Sequence, residues 1–76
     1  MRERRVTIDE VIEALENPEQ LVYDKQRDVY IAMGWNGVAV VYAPRGIRYE
    51  VVTVMRRREY EALLKRLGNR RYKIIA

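Results

Sequence analysis

The sequence predicts a single α+β domain spanning residues 1–76, with an antiparallel meander sheet of four to five strands. We expect two layers, with an N-terminal and a C-terminal helix packed on one face of the sheet. Three observations predict this fold. Apolar residues follow a helical spacing near both ends, the middle of the chain alternates β-branched and aromatic residues between turn signals, and the chain is too short for a second core.

The first helix begins with a capping signal. Thr7 is followed three residues later by Glu10, the spacing of a capping box, and Val6 and Val11 occupy the positions of a hydrophobic staple. Apolar residues then repeat at the i, i+3, i+4 and i+7 spacing of an amphipathic helix. Asn17-Pro18 ends the helix, because the residue before a proline disfavours helical backbone.

Four strand segments follow, separated by turn signals. In chain order they are Leu21–Tyr23, Val29–Trp35, Val38–Ala43 and Ile47–Met55. Asn36-Gly37 is a strong hairpin signal, and a two-residue loop there places Trp35 opposite Val38. Pro44–Gly46 is predicted to be a three-residue loop between the last two strands.

The chain returns to helix after Arg57, where Tyr60 and the leucines that follow again show the helical spacing. Gly68-Asn69 is predicted to stop this helix, since both residues tolerate left-handed backbone. The remaining residues, 70–76, are either a fifth strand or a basic tail.

The predicted register divides the sheet into two apolar faces. One face is rich in small residues, which allow close approach, so we expect both helices to cover it. The other face is more apolar than a solvated sheet surface usually is. It requires a cover, which is a second copy of the chain, a partner protein, the C-terminal segment or an RNA strand, and homodimerisation is the commonest answer. The interface residues predicted on this basis are Ile31, Met33, Trp35, Val38, Val40, Tyr42 and Val52.

The composition excludes several kinds of chemistry. The chain has no cysteine, histidine or serine, so no serine or cysteine hydrolase triad, zinc finger or disulfide framework is available. The three aspartates show no spacing suited to a hard cation, and we expect neither a metal nor a cofactor. No apolar run is long enough to cross a membrane, and no apolar signal stretch precedes the first helix, so we expect a cytoplasmic protein.

The charge balance favours an anionic partner. Lysine and arginine number 15 against 11 acidic residues, a formal charge of +4, and 12 of the cations are arginine. The guanidinium group suits phosphate, although a GC-rich or thermophilic genome explains the arginine usage equally well. Small sheets that combine aromatic rings with arginine bind single-stranded RNA by stacking and phosphate contacts. The nucleic-acid-binding residues predicted on this basis are Arg27, Trp35, Tyr42, Arg45, Arg48, Arg70 and Arg71.

Several segments carry a resemblance to a known superfamily. They are Arg5-Val6-Thr7-Ile8, Val11-Ile12-Glu13-Ala14-Leu15, Asn17-Pro18-Glu19 and Val51-Val52-Thr53-Val54. Together they resemble the small domains of the barnase, EndoU, colicin and RelE-like superfamily, which includes toxin ribonucleases of toxin–antitoxin systems. The resemblance implies RNA as a ligand and an antitoxin as a protein partner.

The resemblance also implies a candidate catalytic set of four residues. Arg5 matches the basic residue before the first helix, and Thr53 matches a hydroxyl residue on the last strand. Arg48 would hold phosphate, and Tyr72 would act as a base if nearby arginines lowered its pKa. The predicted register, however, places Thr53 and Arg48 on opposite faces of the sheet. Whether the domain cleaves RNA, binds it, or is a non-catalytic module that binds a protein or a second copy stays open.

Overall fold

Two helices and five antiparallel strands follow one another along the chain. The computed structural model describes residues 6–75, except for the side chains at 67–70. The elements are α1 (Ile8–Glu16), β1 (Pro18–Asp24), β2 (Val29–Gly34), β3 (Val38–Arg45), β4 (Arg48–Arg56), α2 (Arg57–Arg71) and β5 (Tyr72–Ile74). The predicted α+β class is confirmed, and the C-terminal segment contains the optional fifth strand.

The start of α1 follows the sequence signal. The Thr7 side chain accepts a hydrogen bond from the Glu10 N–H at 3.2 Å, and the Glu10 carboxylate accepts one from the Thr7 N–H at 3.0 Å. This is a complete capping box, which satisfies two backbone donors that a helix start leaves without partners. At the other end the Asn17 N–H donates to the Glu13 carbonyl before Pro18 begins β1.

The strands form one sheet in the order β4-β3-β2-β1-β5. The loop between β2 and β3 contains three residues, 35–37, because the Gly37 N–H donates to the Gly34 carbonyl at 3.1 Å. Gly37 has a φ of 83°, which favours glycine, and the Asn36 side chain accepts a hydrogen bond from the Val38 N–H at 3.2 Å. The predicted two-residue loop is therefore wrong by one residue, and Val40 pairs with Ala32 rather than with Met33.

Because side chains alternate between the two faces of a sheet, this shift of one residue places each side chain of β3 on the opposite face, relative to β2, from the one that was predicted. Below, the α2 face is the sheet face that contacts α2, and the α1 face is the one that contacts α1. Val22, Ile31, Met33 and Val41 pack with Tyr60 on the α2 face. Ala14 of α1 packs with Val38 and Val40 on the α1 face. The expectation of two layers with both helices on one face is therefore wrong, and the sheet lies between the helices.

The predicted open sheet face does not exist in this arrangement. At most 2% of the surface is exposed for Ile31, Met33, Val38 and Val40. Tyr42 is half-buried, Val52 is exposed on the edge strand, and Trp35 is exposed in the β2–β3 loop. The two helices of the same chain therefore cover Ile31, Met33, Val38 and Val40, whereas Trp35 and Val52 stay exposed.

The β3–β4 hairpin also differs from its predicted form. Arg45 pairs with Arg48, so the loop contains only Gly46 and Ile47, and Gly46 has a φ of 64°. A positive φ at the first of two loop residues is typical of a tight hairpin turn. Farther along the hairpin, Thr53 pairs with Val41 and Val51 pairs with Tyr42, so Val52 is the additional residue of a β-bulge.

A row of tyrosines crosses the α1 face beyond the short helix α1. Tyr23, Tyr30, Tyr42 and Tyr49 come from β1 to β4, and neighbouring ring centroids lie 5.1, 5.7 and 4.9 Å apart. We call these four residues the tyrosine row. Aromatic pairs at such distances stabilise neighbouring strands. The pKa of Tyr42 is raised by burial, and that of Tyr23 by its hydrogen bond to Asp28, so both rings stay neutral at physiological pH.

Contacts with the start of β1 hold the first turns of α2 in place. The Arg57 guanidinium lies 2.7 Å from the Glu19 carboxylate, and the Tyr60 hydroxyl donates to the Gln20 side chain. Burial, together with the nearby Glu19 charge, raises the pKa of Tyr60 to about 12. Tyr60 therefore remains a neutral donor over the physiological pH range.

A close approach between Gly34 and α1 generates the first prediction. A Cβ atom at Gly34 would lie 2.8 Å from the Ala14 Cα and 2.6 Å from the Asn36 Oδ1. Gly34→Ala should therefore lower the free energy of unfolding by about 1–3 kcal/mol, the usual cost of overpacking. Urea unfolding followed by circular dichroism measures the change.

A double-mutant cycle tests the cause of this loss. Ala14→Gly removes the methyl group that faces the new side chain, so the double variant should lose less stability than the two single losses added together. Strictly additive losses would contradict the proposed contact.

Candidate nucleic-acid interface

The bulge in β4 brings two predicted site residues onto the same face of the sheet. Thr53 pairs with Val41, whose side chain lies on the α2 face. Because Val52 has no partner on β3, the residues of β4 before it change face, and Arg48, which pairs with Arg45, also lies on the α2 face. The expectation that Thr53 and Arg48 lie on opposite faces is therefore wrong. In a regular strand, two residues five positions apart in sequence point to opposite faces, so without the bulge Arg48 and Thr53 would lie on opposite faces.

A cavity lies on this α2 face, between the sheet and the C-terminal half of α2. Its volume is about 320 Å³, and we call it the arginine cavity. Its floor is apolar and consists of Val29, Ile31, Val41, Met55 and Leu63. Its polar wall consists of Asp24, Arg27, Thr53, Arg66, Arg71 and Tyr72. An apolar floor with a few polar groups is typical of a ligand site.

Asp24 positions two parts of this wall. Its carboxylate, only 3% exposed, accepts hydrogen bonds from Arg71 Nε at 2.9 Å and Nη2 at 3.0 Å. The same carboxylate accepts hydrogen bonds from the backbone N–H groups of Gln26 and Arg27, which shapes the β1–β2 turn. The Lys25 N–H also donates to the Arg71 carbonyl at 2.8 Å, so the turn that carries Arg27 is joined to the end of α2.

These contacts explain why α2 does not stop at Gly68-Asn69. The helix continues to Arg71, where the paired guanidinium and the bonded carbonyl fix its end against β1. The predicted stop is therefore wrong, because tertiary hydrogen bonds outweigh the local preference of the two residues.

The Asp24 carboxyl remains ionised although it is buried. Burial alone would raise its pKa, but the hydrogen bonds from Arg71, Arg27 and Gln26 outweigh this effect and lower the pKa below its usual value. Asp24 is thus a structural anion whose charge is neutralised by Arg71. It forms no ion pair with Arg27 or Arg66, whose side chains are exposed to solvent.

Arg27 and Arg66 supply the cations of the cavity that have no acidic partner. Within the described part of the chain, neither guanidinium forms an ion pair. Both side chains are exposed, and both lower the pKa of Tyr72 through their charge, which places them near its hydroxyl. Two unpaired guanidinium groups beside an apolar floor form a site that can hold an anion attached to a flat apolar group.

Tyr72 does not have the property that a base would need. Burial and the Asp24 charge together raise its pKa by more than the charges of Arg71, Arg27 and Arg66 lower it. Asp24, with its lowered pKa, also takes up no proton near neutral pH. The lowered pKa that Tyr72 would need to act as a base is therefore not found, and the arginine cavity contains no described group suited to proton transfer at neutral pH.

The two helices give the two faces of the sheet opposite charge. Helix α1 contains four acidic residues and no basic ones, whereas α2 contains six basic residues and two acidic ones. A polyanion is therefore attracted to the α2 face and repelled from the α1 face.

No relative identifies the chain. Comparison with protein-family models, with curated proteins and with solved structures finds no match. The resemblance to the RelE-like superfamily thus stays a prediction.

The remaining predicted residues lie apart from the arginine cavity. Tyr42 belongs to the tyrosine row on the opposite face, and Trp35 lies in the loop at the other end of the sheet. Arg45 forms a 3.0 Å ion pair with Glu50 at the exposed hairpin. Arg5 and the side chain of Arg70 lie outside the described residues.

Two polar residues of the arginine cavity, Asp24 and Arg66, are not among the predicted site residues. The sequence contains no local signal that joins Asp24 to Arg71, since 47 positions separate them. Over residues 6–75, no helix is long and apolar enough to cross a membrane, and no cluster of three potential metal ligands occurs.

The Asp24–Arg71 pair generates a prediction on stability and pH. Asp24→Asn should lower the free energy of unfolding at pH 7 by about 2 kcal/mol, because it leaves Arg71 without its anion. Since the folded-state pKa of Asp24 is lowered, its stabilisation is present above the unfolded-state pKa of about 3.9 and is lost as the pH falls through the folded-state value.

Urea unfolding of the wild type and Asp24→Asn at pH 7 and pH 3 measures this dependence. The difference in unfolding free energy between the two proteins should shrink at pH 3. An equal difference at both pH values would show that the charge of Asp24 does not stabilise the fold.

Proposed function

We propose that the protein binds single-stranded RNA on its α2 face, with one nucleotide in the arginine cavity, and that it does so without cleaving the strand. The observation that carries the proposal is the wall of the cavity, where Arg27 and Arg66 have no acidic partner among the described residues and lie beside an apolar floor. The resemblance to RNA-binding toxins favours RNA among the possible polyanions.

The shape of the arginine cavity suits a nucleotide unit. Its volume of about 320 Å³ lies within the range of small-molecule sites, and Met55 and Leu63 provide apolar surface for a base. The Thr53 hydroxyl lines the same cavity and is exposed, so it is available to a ribose or base edge. Single-stranded RNA presents such unpaired bases, whereas a duplex keeps them stacked inside.

The surroundings of the cavity suit the rest of the strand. Arg48 lies on the same face at the exposed hairpin, and the basic residues in the C-terminal half of α2 continue the positive surface around the cavity. A groove next to the arginine cavity is lined by Thr53, Met55, Leu63 and Arg66 in common with it, and it extends between β4 and α2. A strand leaving the cavity can follow this groove.

The absence of a proton-transfer group among the described cavity residues separates binding from cleavage. RNA cleavage through the 2′-hydroxyl requires a group that removes its proton. Burial opposes that role for Tyr72, and Asp24 is held as an ionised partner of Arg71. We therefore propose binding alone.

Loss of the two unpaired cations should weaken RNA binding. Arg27→Ala with Arg66→Ala should reduce the affinity for a fluorescein-labelled oligouridine of twelve nucleotides by about tenfold at low salt. The slope of log affinity against log salt should fall by about 1.4, since each lost phosphate contact on a single strand removes about 0.7. Fluorescence anisotropy in 25–200 mM KCl measures both quantities.

A second double variant provides the matched control. Arg58→Ala with Lys73→Ala also removes two exposed cations, but from the far end of α2 and from β5, away from the arginine cavity. Its affinity should change by less than about threefold if local contacts dominate over net charge. Equal losses in the two double variants, or no binding by the wild type at 25 mM KCl, would refute the proposed site.

A further inference from the structure

The two edges of the sheet differ in how well they are protected. β5 contains three residues, whereas β4 contains nine and forms the other edge. Edge strands of soluble proteins are usually short or charged, because their outer N–H and C=O groups attract another strand. β4 is long, and its centre, Val51-Val52, is apolar and exposed. β4 is thus the edge that is open to a further strand.

The segment that consists of the loop residue Ile47 and the start of β4, residues 47–51, is strongly exposed. The exposed fractions of Ile47, Tyr49 and Val51 are 103%, 63% and 45%. Tyr49 and Val51 lie on the α1 face, opposite Pro44 and Tyr42. This segment ends at the Val52 bulge, which interrupts a regular ladder.

The backbone N–H and C=O groups of Tyr49 point toward the open edge of β4, where they can bond to another strand. Arg45 and Arg48 close a two-residue loop and, in such a hairpin, exchange their hydrogen bonds. Hydrogen-bonded and non-hydrogen-bonded pairs alternate in an antiparallel ladder, so the next pair, Pro44 and Tyr49, is non-hydrogen-bonded. Pro44, which has no N–H, fits this position. The N–H and C=O of Tyr49 therefore point away from β3.

When two copies of this segment lie antiparallel, opposite charges face each other and apolar residues face each other. Residues 47–51 are Ile-Arg-Tyr-Glu-Val. We propose that two copies of the chain pair through this segment, antiparallel, about a two-fold axis at Tyr49. Arg48 of each copy then lies opposite Glu50 of the other copy, and Ile47 lies opposite Val51.

Charge selects this register over its neighbours. Moving the axis by one residue places either Arg48 or Glu50 opposite the same residue of the second copy, which is repulsive. With the axis at Tyr49, two cross-strand pairs of opposite charge form on one face, while the apolar residues and tyrosines meet on the other.

The same pairing joins the tyrosine rows of the two copies. Tyr49 is the last ring of the row, and its neighbour across the axis is Tyr49 of the second copy. At an inter-strand spacing of about 4.8 Å, the two rows become one continuous row across eight strands. This association leaves the arginine cavity free and does not depend on RNA binding.

Disulfide cross-linking tests the position of the axis. The chain has no cysteine, so Tyr49→Cys introduces a single thiol. In a hydrogen-bonded antiparallel pair the two Cα atoms lie about 5.5 Å apart, within the range of a disulfide. Ile47→Cys is the control, since it is even more exposed than Tyr49 but lies about 13 Å from Ile47 of the second copy in this register. Under mild oxidation without RNA, Tyr49→Cys should form covalent dimers at least about ten times faster.

Charge reversal tests the register in the cysteine-free protein. Arg48→Glu should raise the dimer dissociation constant at least about tenfold, and Arg48→Glu with Glu50→Arg should restore association. Lys65→Glu is the matched charge control, because it lies on exposed α2 surface. Sedimentation equilibrium between about 10 μM and 1 mM measures the constants, and circular dichroism confirms folding.

A monomeric wild type over this range, equal cross-linking of the two cysteine variants, or an equal loss with Lys65→Glu would overturn the proposed pairing. None of these results bears on the oligouridine measurement, because the cavity variants leave residues 47–51 unchanged.

Discussion

The length of the β2–β3 loop is the constraint on which the architecture depends. The hydrogen bond from the Gly37 N–H to the Gly34 carbonyl closes a loop of three residues and sets the register between the two central strands. With this register Ile31 and Met33 face α2, while Val38 and Val40 face α1. A loop shorter by one residue would place Met33 beside Val40 and mix the two cores. The separation of the helices onto opposite faces follows from this one loop.

Local signals were sufficient to predict the elements, but not the way they assemble. The capping box at Thr7 and Glu10 marks α1 because its hydrogen bonds lie within four residues of each other. Asn36-Gly37 marks the hairpin, but two-residue and three-residue loops both use such residues, so the register stays open. The unbroken apolar run through Val38–Ala43 is the sequence signal that indicates burial on both faces of β3. A central strand covered on both faces has that pattern, whereas a strand covered on one face alternates.

The candidate site shows the same limit. Arg27 and Arg71 are predicted from residue type, and Thr53 and Tyr72 from the resemblance, and all four residues line one cavity. What joins them is the ion pair between Asp24 and Arg71, which bridges distant parts of the chain and leaves no trace in local spacing. The same pair decides the chemistry, because it holds the carboxylate of the cavity ionised and hydrogen-bonded instead of free to accept a proton.

One additional residue in β4 connects the two surfaces of the protein. The Val52 bulge places Arg48 on the face of Thr53 and so adds a cation to the surface around the arginine cavity. It also ends the regular part of the outer edge, which confines any strand pairing to the segment before it. In that segment Tyr49 faces the acidic α1 side and Arg48 the basic α2 side. A regular β4 would place Arg48 among the tyrosines, where it would interrupt the row and leave the α2 face. The bulge therefore keeps the aromatic residues of the association surface on one face of the strand, and it places Arg48, which can pair with Glu50 of a second copy or contact RNA, on the face of the arginine cavity.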